Sequence, residues 1–263
     1  MKYYIVSKSD FNSKKIKNLL IEKINGEMTP INPEYVFTIG GDGTFLKAVH
    51  RFPNATFFGI RTGHLGFYTS YSYHDIDLIV ESIKEKNYVI NELPLLSCYL
   101  NNDTNHPYYA LNEMTLISQP TTLILDTYID DDLFEEFRGT GICVATPSGS
   151  TGYNKSLGGA IIDNDLLSMQ LSEIAGINSK FYETIRNSMI LSQKHHFTFK
   201  PARKYKTIYF TIDNFGYNLE FVESVEVRIG EKYVKIASKE KADFISKVKQ
   251  SFLRPIVRKN IDW

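Results

Sequence analysis

The sequence predicts a two-domain α+β protein, with an α/β N-terminal domain over residues 1–94 and a predominantly β domain over 95–239. Three observations carry this. Up to about residue 90, short apolar β-rich runs alternate with segments of helical spacing, the mark of a parallel α/β unit. After Pro94 β-rich runs follow one another at short intervals, which suggests an antiparallel sandwich or a related architecture. The tail 240–263 opens with a helical pattern and is expected to return to the first domain.

Taken in order, "YYIVS" (3–7) reads as a short buried strand. "SKKIKNLLIEKI" (13–24) places apolar residues at 16, 19, 20, 21 and 24, a helical spacing. "YVFTI" (35–39) is β-rich and ends at Gly40-Gly41, and "TFLKAVHRF" (44–52) is helical. "ATFFGI" (55–60) is another strand and "DIDLIVESIKEKN" (75–87) another helix. In the second half "LLSCYLN", "YYALNEMTLIS", "TTLILDTYID" and "GICVAT" read as strands. A helix is expected over 164–175; strands then resume at "HHFTFK", "KTIYFTID", "LEFV", "SVEVRIG" and "YVKIA". The acidic "YIDDDLFEEF" (128–137) reads as a solvated turn.

The bulk numbers narrow the function classes. With 30 basic and 30 acidic side chains there is no global positive field for nucleic acid or a membrane surface. Two cysteines, Cys98 and Cys143, do not make a disulfide scaffold and fit a reducing compartment. No stretch approaches the roughly 20 apolar residues of a membrane span. The chain reads as soluble and cytoplasmic.

Two stretches carry chemistry. In "FTIGGDGTFLKAVHRF" (37–52), a strand runs through Gly40, Gly41 and Gly43 into a helix. Such a turn presents backbone N–H groups and a helix dipole to an anion, and glycine lets phosphate approach the backbone. The dinucleotide pattern GxGxxG fails, because Leu46 holds its third glycine position. Asp42, in the middle of the turn, can cap the helix, or it can accept the proton of a hydroxyl that attacks phosphorus.

The second stretch is "FRGTGICVATPSGSTGYNKSLGGAI" (137–161). Its "GSTGYNKS" misses a P-loop, because Asn154 stands where glycine is required. Ser148, Ser150 and Thr151 offer hydroxyls to a base or ribose, Gly149 and Gly152 allow a flat ring close, and Tyr153 offers a face for stacking. Weaker signals are Lys47 past the glycine turn, His64 in "GIRTGHLGFY" (59–68), whose Gly63 and Gly66 shape a cleft loop, and the pair His195-His196. The two latter are read as structural.

"GGDGT" is similar to the signature shared by NAD kinases and by diacylglycerol and sphingosine-type lipid kinases. "TPSGSTGYNKSLGGAI" resembles the second signature of NAD kinases, and "LNEMTL" (111–116) looks like their Asn-Glu motif. Order and spacing fit, over nearly the whole chain. The chain thus resembles the bacterial ATP- or polyphosphate-dependent NAD kinases.

This resemblance implies transfer of a phosphoryl group from ATP or polyphosphate to the 2′-hydroxyl of NAD's adenosine ribose. Asp42 would be the base, with Gly43 bordering the same site. Gly40, Gly41, Gly43, Thr44 and Lys47 would face the donor phosphates. Asn112 would bond adenine and Glu113 the ribose on the nicotinamide side. Ser148 and the run Thr151, Gly152, Tyr153, Asn154, Lys155 and Ser156 would enclose adenine and its ribose. Arg138, position 140 and Ala175 match further binding positions, Arg138 and 140 supplied across a subunit interface of a homo-oligomer, a tetramer in the family. Thr140 departs from the usual Asp and removes a charged acceptor. A divalent cation, Mg2+, would neutralise donor phosphates, with no side chain assigned as a metal ligand. A lipid kinase of the same superfamily and a non-catalytic NAD-binding regulator are the alternatives.

Overall fold

A computed structural model describes residues 1–63, 66–241 and 243–253. The first part runs β1 (Lys2–Ser7), α1 (Phe11–Lys23), β2 (Glu27–Met28), β3 (Tyr35–Gly40), α2 (Asp42–Arg51), β4 (Thr56–Arg61), β5 (Tyr71–Ser72) and α3 (Ile76–Glu85). β1, β3 and β4 pair in parallel, so they need crossover helices. α1 starts where Asp10 accepts from the Ser13 backbone N–H at 3.0 Å, an N-cap that satisfies a free helix amide. Ile16 and Leu20 of α1 and Ile76 and Ile79 of α3 cover one sheet face. Phe45, Leu46, Ala48 and Val49 of α2 cover the other. The strands between them are therefore apolar on both faces: Phe37, Phe57 and Phe58 are fully buried, each worth about 1.5–3 kcal/mol.

The second part continues with β6 (Val89–Leu100), β7 (Tyr108–Ala110), β8 (Glu113–Ile117), β9 (Leu123–Ile129), β10 (Asp132–Gly139) and β11 (Gly141–Ala145). It goes on through α4 (Tyr153–Ser156), β12 (Ser168–Ile174), β13 (Met189–Ser192), β14 (Phe197–Pro201), β15 (Ile208–Ile212), β16 (Phe215–Leu219), β17 (Val225–Ser238) and α5 (Phe244–Phe252). β13-β12-β11-β8-β15-β16 form an antiparallel sheet. It packs on a sheet containing β10-β9-β14-β17 through a shared core that includes Met114, Val144, Phe137, Phe197 and Phe210. β17 ties the halves together. Val225–Val227 pair with β14, and Lys235–Ala237 pair in parallel with β4. Position 94 lies inside β6, which runs beside β17 along both halves.

Several expectations need correction. The helix expected over 164–175 is strand β12, paired with β11 and β13. Six of its seven residues are buried, so it lacks the alternation that marks a strand. "LEFV" contributes only Leu219 to a strand, since Phe221 has φ 57°. The acidic turn is confined to Asp130-Asp131, and the rest is β10, paired with β9. The pair His195-His196 sits against Asp130, which lies 2.9 Å from His195 Nδ1 and accepts from the His196 backbone N–H at 3.1 Å. His64 lies outside the described residues. No helix among the described residues is long and apolar enough to cross a membrane. Both cysteines are free and buried.

Candidate active site

Asp42 follows the carboxyl end of β3, where open α/β sheets bind ligands. It is the first residue of α2 but does not cap it, because Gly41 holds the N-cap position with no side-chain bond. Its carboxylate instead accepts from the backbone N–H groups of Phe67 at 2.9 Å and Tyr68 at 3.1 Å. Gly66 permits this approach, since a Cβ there would lie 2.5 Å from Asp42 Oδ1. A Cβ at Gly41 or Gly43 would meet nothing within 4 Å, so the turn leaves an open cradle beside the carboxylate. Thr44 is buried against Gly40, and Lys47 is exposed on the outer face of α2.

Tyr68 connects this turn to the second motif. Its ring stacks on Phe45 at 5.1 Å, and its hydroxyl donates to Asn112 Oδ1. Burial pushes the phenol well above its ordinary value; Ser148 opposes the shift, and the Asp213, Asp42 and Glu113 carboxylates add to it. Residues 111–113 are bonded on both sides. Their carbonyls accept from Thr146: the hydroxyl reaches Leu111 O at 2.6 Å and the amide reaches Asn112 O at 2.9 Å. Ser148 adds a bond to Leu111 O at 3.1 Å. Their amides donate to Asp213, at 3.0 Å from Leu111, 2.7 Å from Asn112 and 3.3 Å from Glu113. His50 Nε2 lies 2.9 Å from the same carboxylate. The Asp213 side chain is fully buried.

Glu113 is 9% exposed, and its Oε2 has no hydrogen-bond partner among the described residues. Burial first, and the Asp213 charge second, push its carboxyl up to about 8, while the Tyr153 backbone N–H pulls the other way. A buried carboxyl with one oxygen left unpartnered is a group waiting for a polar ligand. The loop 146–156 sits directly against it. Gly149 packs so tightly that a Cβ would lie 1.9 Å from Asn112 O.

A family model for the ATP-NAD kinase C-terminal domain matches residues 111–238. NAD kinase 1 of Halalkalibacterium halodurans is 38% identical over 96% of this chain and 99% of its own length. The chain belongs to the NAD kinase family. The NAD kinase of Staphylococcus carnosus is 37% identical over 96% of this chain and 98% of its own. In fold, the chain matches yeast NADH kinase, solved with NADH, with a TM-score of 0.82 and 18% identity over 98% of this chain and 90% of that one. It also matches an NAD kinase from Archaeoglobus fulgidus, solved with ATP, with a TM-score of 0.75 and 22% identity over 95% and 99%. It is therefore a kinase, and its α/β half followed by β-rich sheets is the architecture of NAD kinases.

The NAD kinase positions expected from the sequence fall in two places. Asp42, Gly43, Asn112, Glu113, Ser148, Gly152 and Tyr153 converge. Gly152 would bring a Cβ to 3.2 Å from Glu113 Oε2. Within 151–156 the side chains divide. Tyr153, Lys155 and Ser156 are exposed, and Thr151 bonds Ser148 O at 3.0 Å. Asn154 is fully buried and accepts from Ser172 at 2.7 Å. Arg138, Thr140 and Ala175 do not join them. Thr140 precedes β11, while Ala145 at its far end pairs with Glu113, about 17 Å away at strand rise. There Thr140 and Ala175 line a cleft with Ser118 and Ile177, and Arg138 lies over the Tyr182 ring at 3.8 Å. The sequence reading missed Tyr68, Asp213 and Lys247, whose ammonium donates to Phe67 O at 2.6 Å.

Proposed function

We propose that Asp42 is the general base with which this NAD kinase family member phosphorylates the 2′-hydroxyl of NAD's adenosine ribose to give NADP. The supporting observation is the aim of its carboxylate, held by two amides of another loop rather than spent on its own helix. The hydroxyl oxygen attacks the terminal phosphorus of ATP, its proton passes to Asp42, and ADP leaves. In such transfers a protein mainly positions groups and neutralises charge. Gly40, Gly41, Gly43 and Thr44 would border the donor phosphates, with the exposed Lys47 reaching them; polyphosphate is a second donor to try.

Asn112 would read adenine, with its acceptor already fixed by Tyr68, and Glu113 would take the ribose hydroxyl its unpartnered oxygen lacks. Tyr153, Lys155 and Ser156 would close over the dinucleotide, while Ser148 and Asn154 hold the loop in shape. An Mg2+ would be carried chiefly by the donor phosphates. When bound, that cation offsets the donor's negative charge. Arg138, Thr140 and Ala175 would act in a partner subunit's site, which makes the working unit a homo-oligomer, a tetramer by family resemblance. Residues 1–94 with α5 would form the donor side and 95–239 the dinucleotide side.

The test is NADP formation from ATP, Mg2+ and NAD, detected with an NADP-specific dehydrogenase. Asp42→Asn should bind NAD yet lose about 10²–10⁴-fold in turnover. Near-normal turnover in that variant would refute the role of Asp42.

A further inference from the structure

We propose that Lys247, on α5, is a positioning residue for phosphoryl transfer: by holding the Phe67-Tyr68 turn it holds the Asp42 carboxylate in its reactive arrangement. The inference rests on Asp42 being the base. Phe67 is gripped from both sides of its backbone. Its N–H donates to Asp42 at 2.9 Å, and its carbonyl accepts from Lys247 Nζ at 2.6 Å. The ring is held too, 6.4 Å from Phe244 and 6.0 Å from Phe252, near the two ends of α5. Phe252 also lies under the Lys155 ammonium at 4.6 Å. One helix thus touches the turn that aims Asp42 and the short helix α4 of the dinucleotide loop.

Anchoring alone does not require a lysine. The two phenylalanines already supply apolar contact, and burying an ammonium costs free energy unless an opposite charge or several acceptors offset it. Here burial pulls the Lys247 ammonium below its ordinary range, and the neighbouring Asp42 carboxylate pushes it back up. Lys247 also borders a small cavity with Tyr68, Ser70 and Ser148. Among the described residues the groups that would read NAD, Asn112, Glu113 and Tyr153, make no hydrogen bond to Lys247, and Asp213 holds the Asn112 and Glu113 amides independently of it, so losing the ammonium should affect the chemical step more than binding.

Lys247→Met keeps the stem and removes the ammonium; Lys247→Arg restores a cationic donor. We expect Lys247→Met to lose about 10–100-fold in kcat, as misplacement of a reacting group does. KM and Kd for NAD should stay within about threefold, and Lys247→Arg should recover most of the loss. In an Asp42→Asn background Lys247→Met should cost less than about twofold, because its route runs through Asp42. Lys247→Gln replaces the methionine variant if that one fails to fold. The proposal falls if the single variant keeps its kcat, if kcat and NAD affinity drop together, if arginine rescues nothing, or if the double variant loses the full product. A fully active Asp42→Asn would instead sink the role of the base itself.

Discussion

Glu113 makes the stability of this protein depend on pH in a direction opposite to most carboxylates. Its carboxyl is pushed up to about 8, chiefly by burial. In the unfolded chain a glutamate sits near its usual value of about 4.3. Between these values the folded state keeps a proton that the unfolded state has released. The stability this group contributes is therefore complete below about pH 4.3 and is lost as pH rises through about 8. At 1.36 kcal/mol per pH decade, the ceiling on that loss is about 5 kcal/mol. Glu113→Gln mimics the protonated acid and removes the dependence. For a chain of this size a kilocalorie moves the melting temperature by roughly 2–4 °C. From pH 5 to pH 9 the window spans about 4 kcal/mol of that loss, so thermal melts of both proteins should diverge across it by up to about 8–16 °C, with the variant more stable at the alkaline end. Other groups titrate equally in both proteins and cancel in the difference. A difference that stays constant across the range would refute the argument.

Two substitutions probe the frame around that acid. Asp213→Asn keeps one acceptor but turns the other oxygen into a donor facing the Leu111 amide or His50; it should destabilise by about 2–4 kcal/mol and raise KM for NAD, read by melting and kinetics. Gly149→Ala puts a methyl group 1.9 Å from the Asn112 carbonyl, backbone against backbone. It should cost about 1–3 kcal/mol and, by displacing Asn112, on the order of 10²-fold in kcat/KM for NAD.

The parts of the site that were legible in the sequence are those packed into contiguous motifs. Glycines at 40, 41 and 43 around one acid, and "TPSGST" after a strand, announce themselves because each is a dense run of small residues directly after a strand. What aims Asp42 was not legible, because the amides come from Phe67 and Tyr68, across a loop whose fold no local rule specifies. Asp213 shows the same divide. The sequence places Asp213 at the end of the strand run "KTIYFTID", and the structure makes it the first residue of the two-residue turn between β15 and β16, at φ 52°. Its partners are amides about a hundred residues upstream, which no hairpin signal names. α5 was legible as a helix, but Lys247 on it reads as an ordinary surface lysine until the fold brings it to Phe67. β12 was misread because burial on both faces erased its alternation, so tertiary packing removed the very signal the reading relied on.

The same network fixes the separation between Asp42, the proposed base, and residues 111–113, proposed to read the dinucleotide. α2 carries Asp42 as its first residue and His50 in its last turn. Asp42 is tied to Tyr68, and Tyr68 to Asn112; His50 is tied to Asp213, and Asp213 to the amides of residues 111–113. Both ends of one rigid helix thus close onto the same three-residue segment, and eight helical steps set a span of about 12 Å. Breaking either tie leaves the other holding α2 only as a lever. A carboxylate acting as the proposed base, within hydrogen-bond reach of a hydroxyl, would tolerate little of that freedom. The buried Asp213 carboxylate thus has its desolvation offset by three amides and the His50 ring, and it joins the far end of α2 to the segment that Tyr68 joins to Asp42.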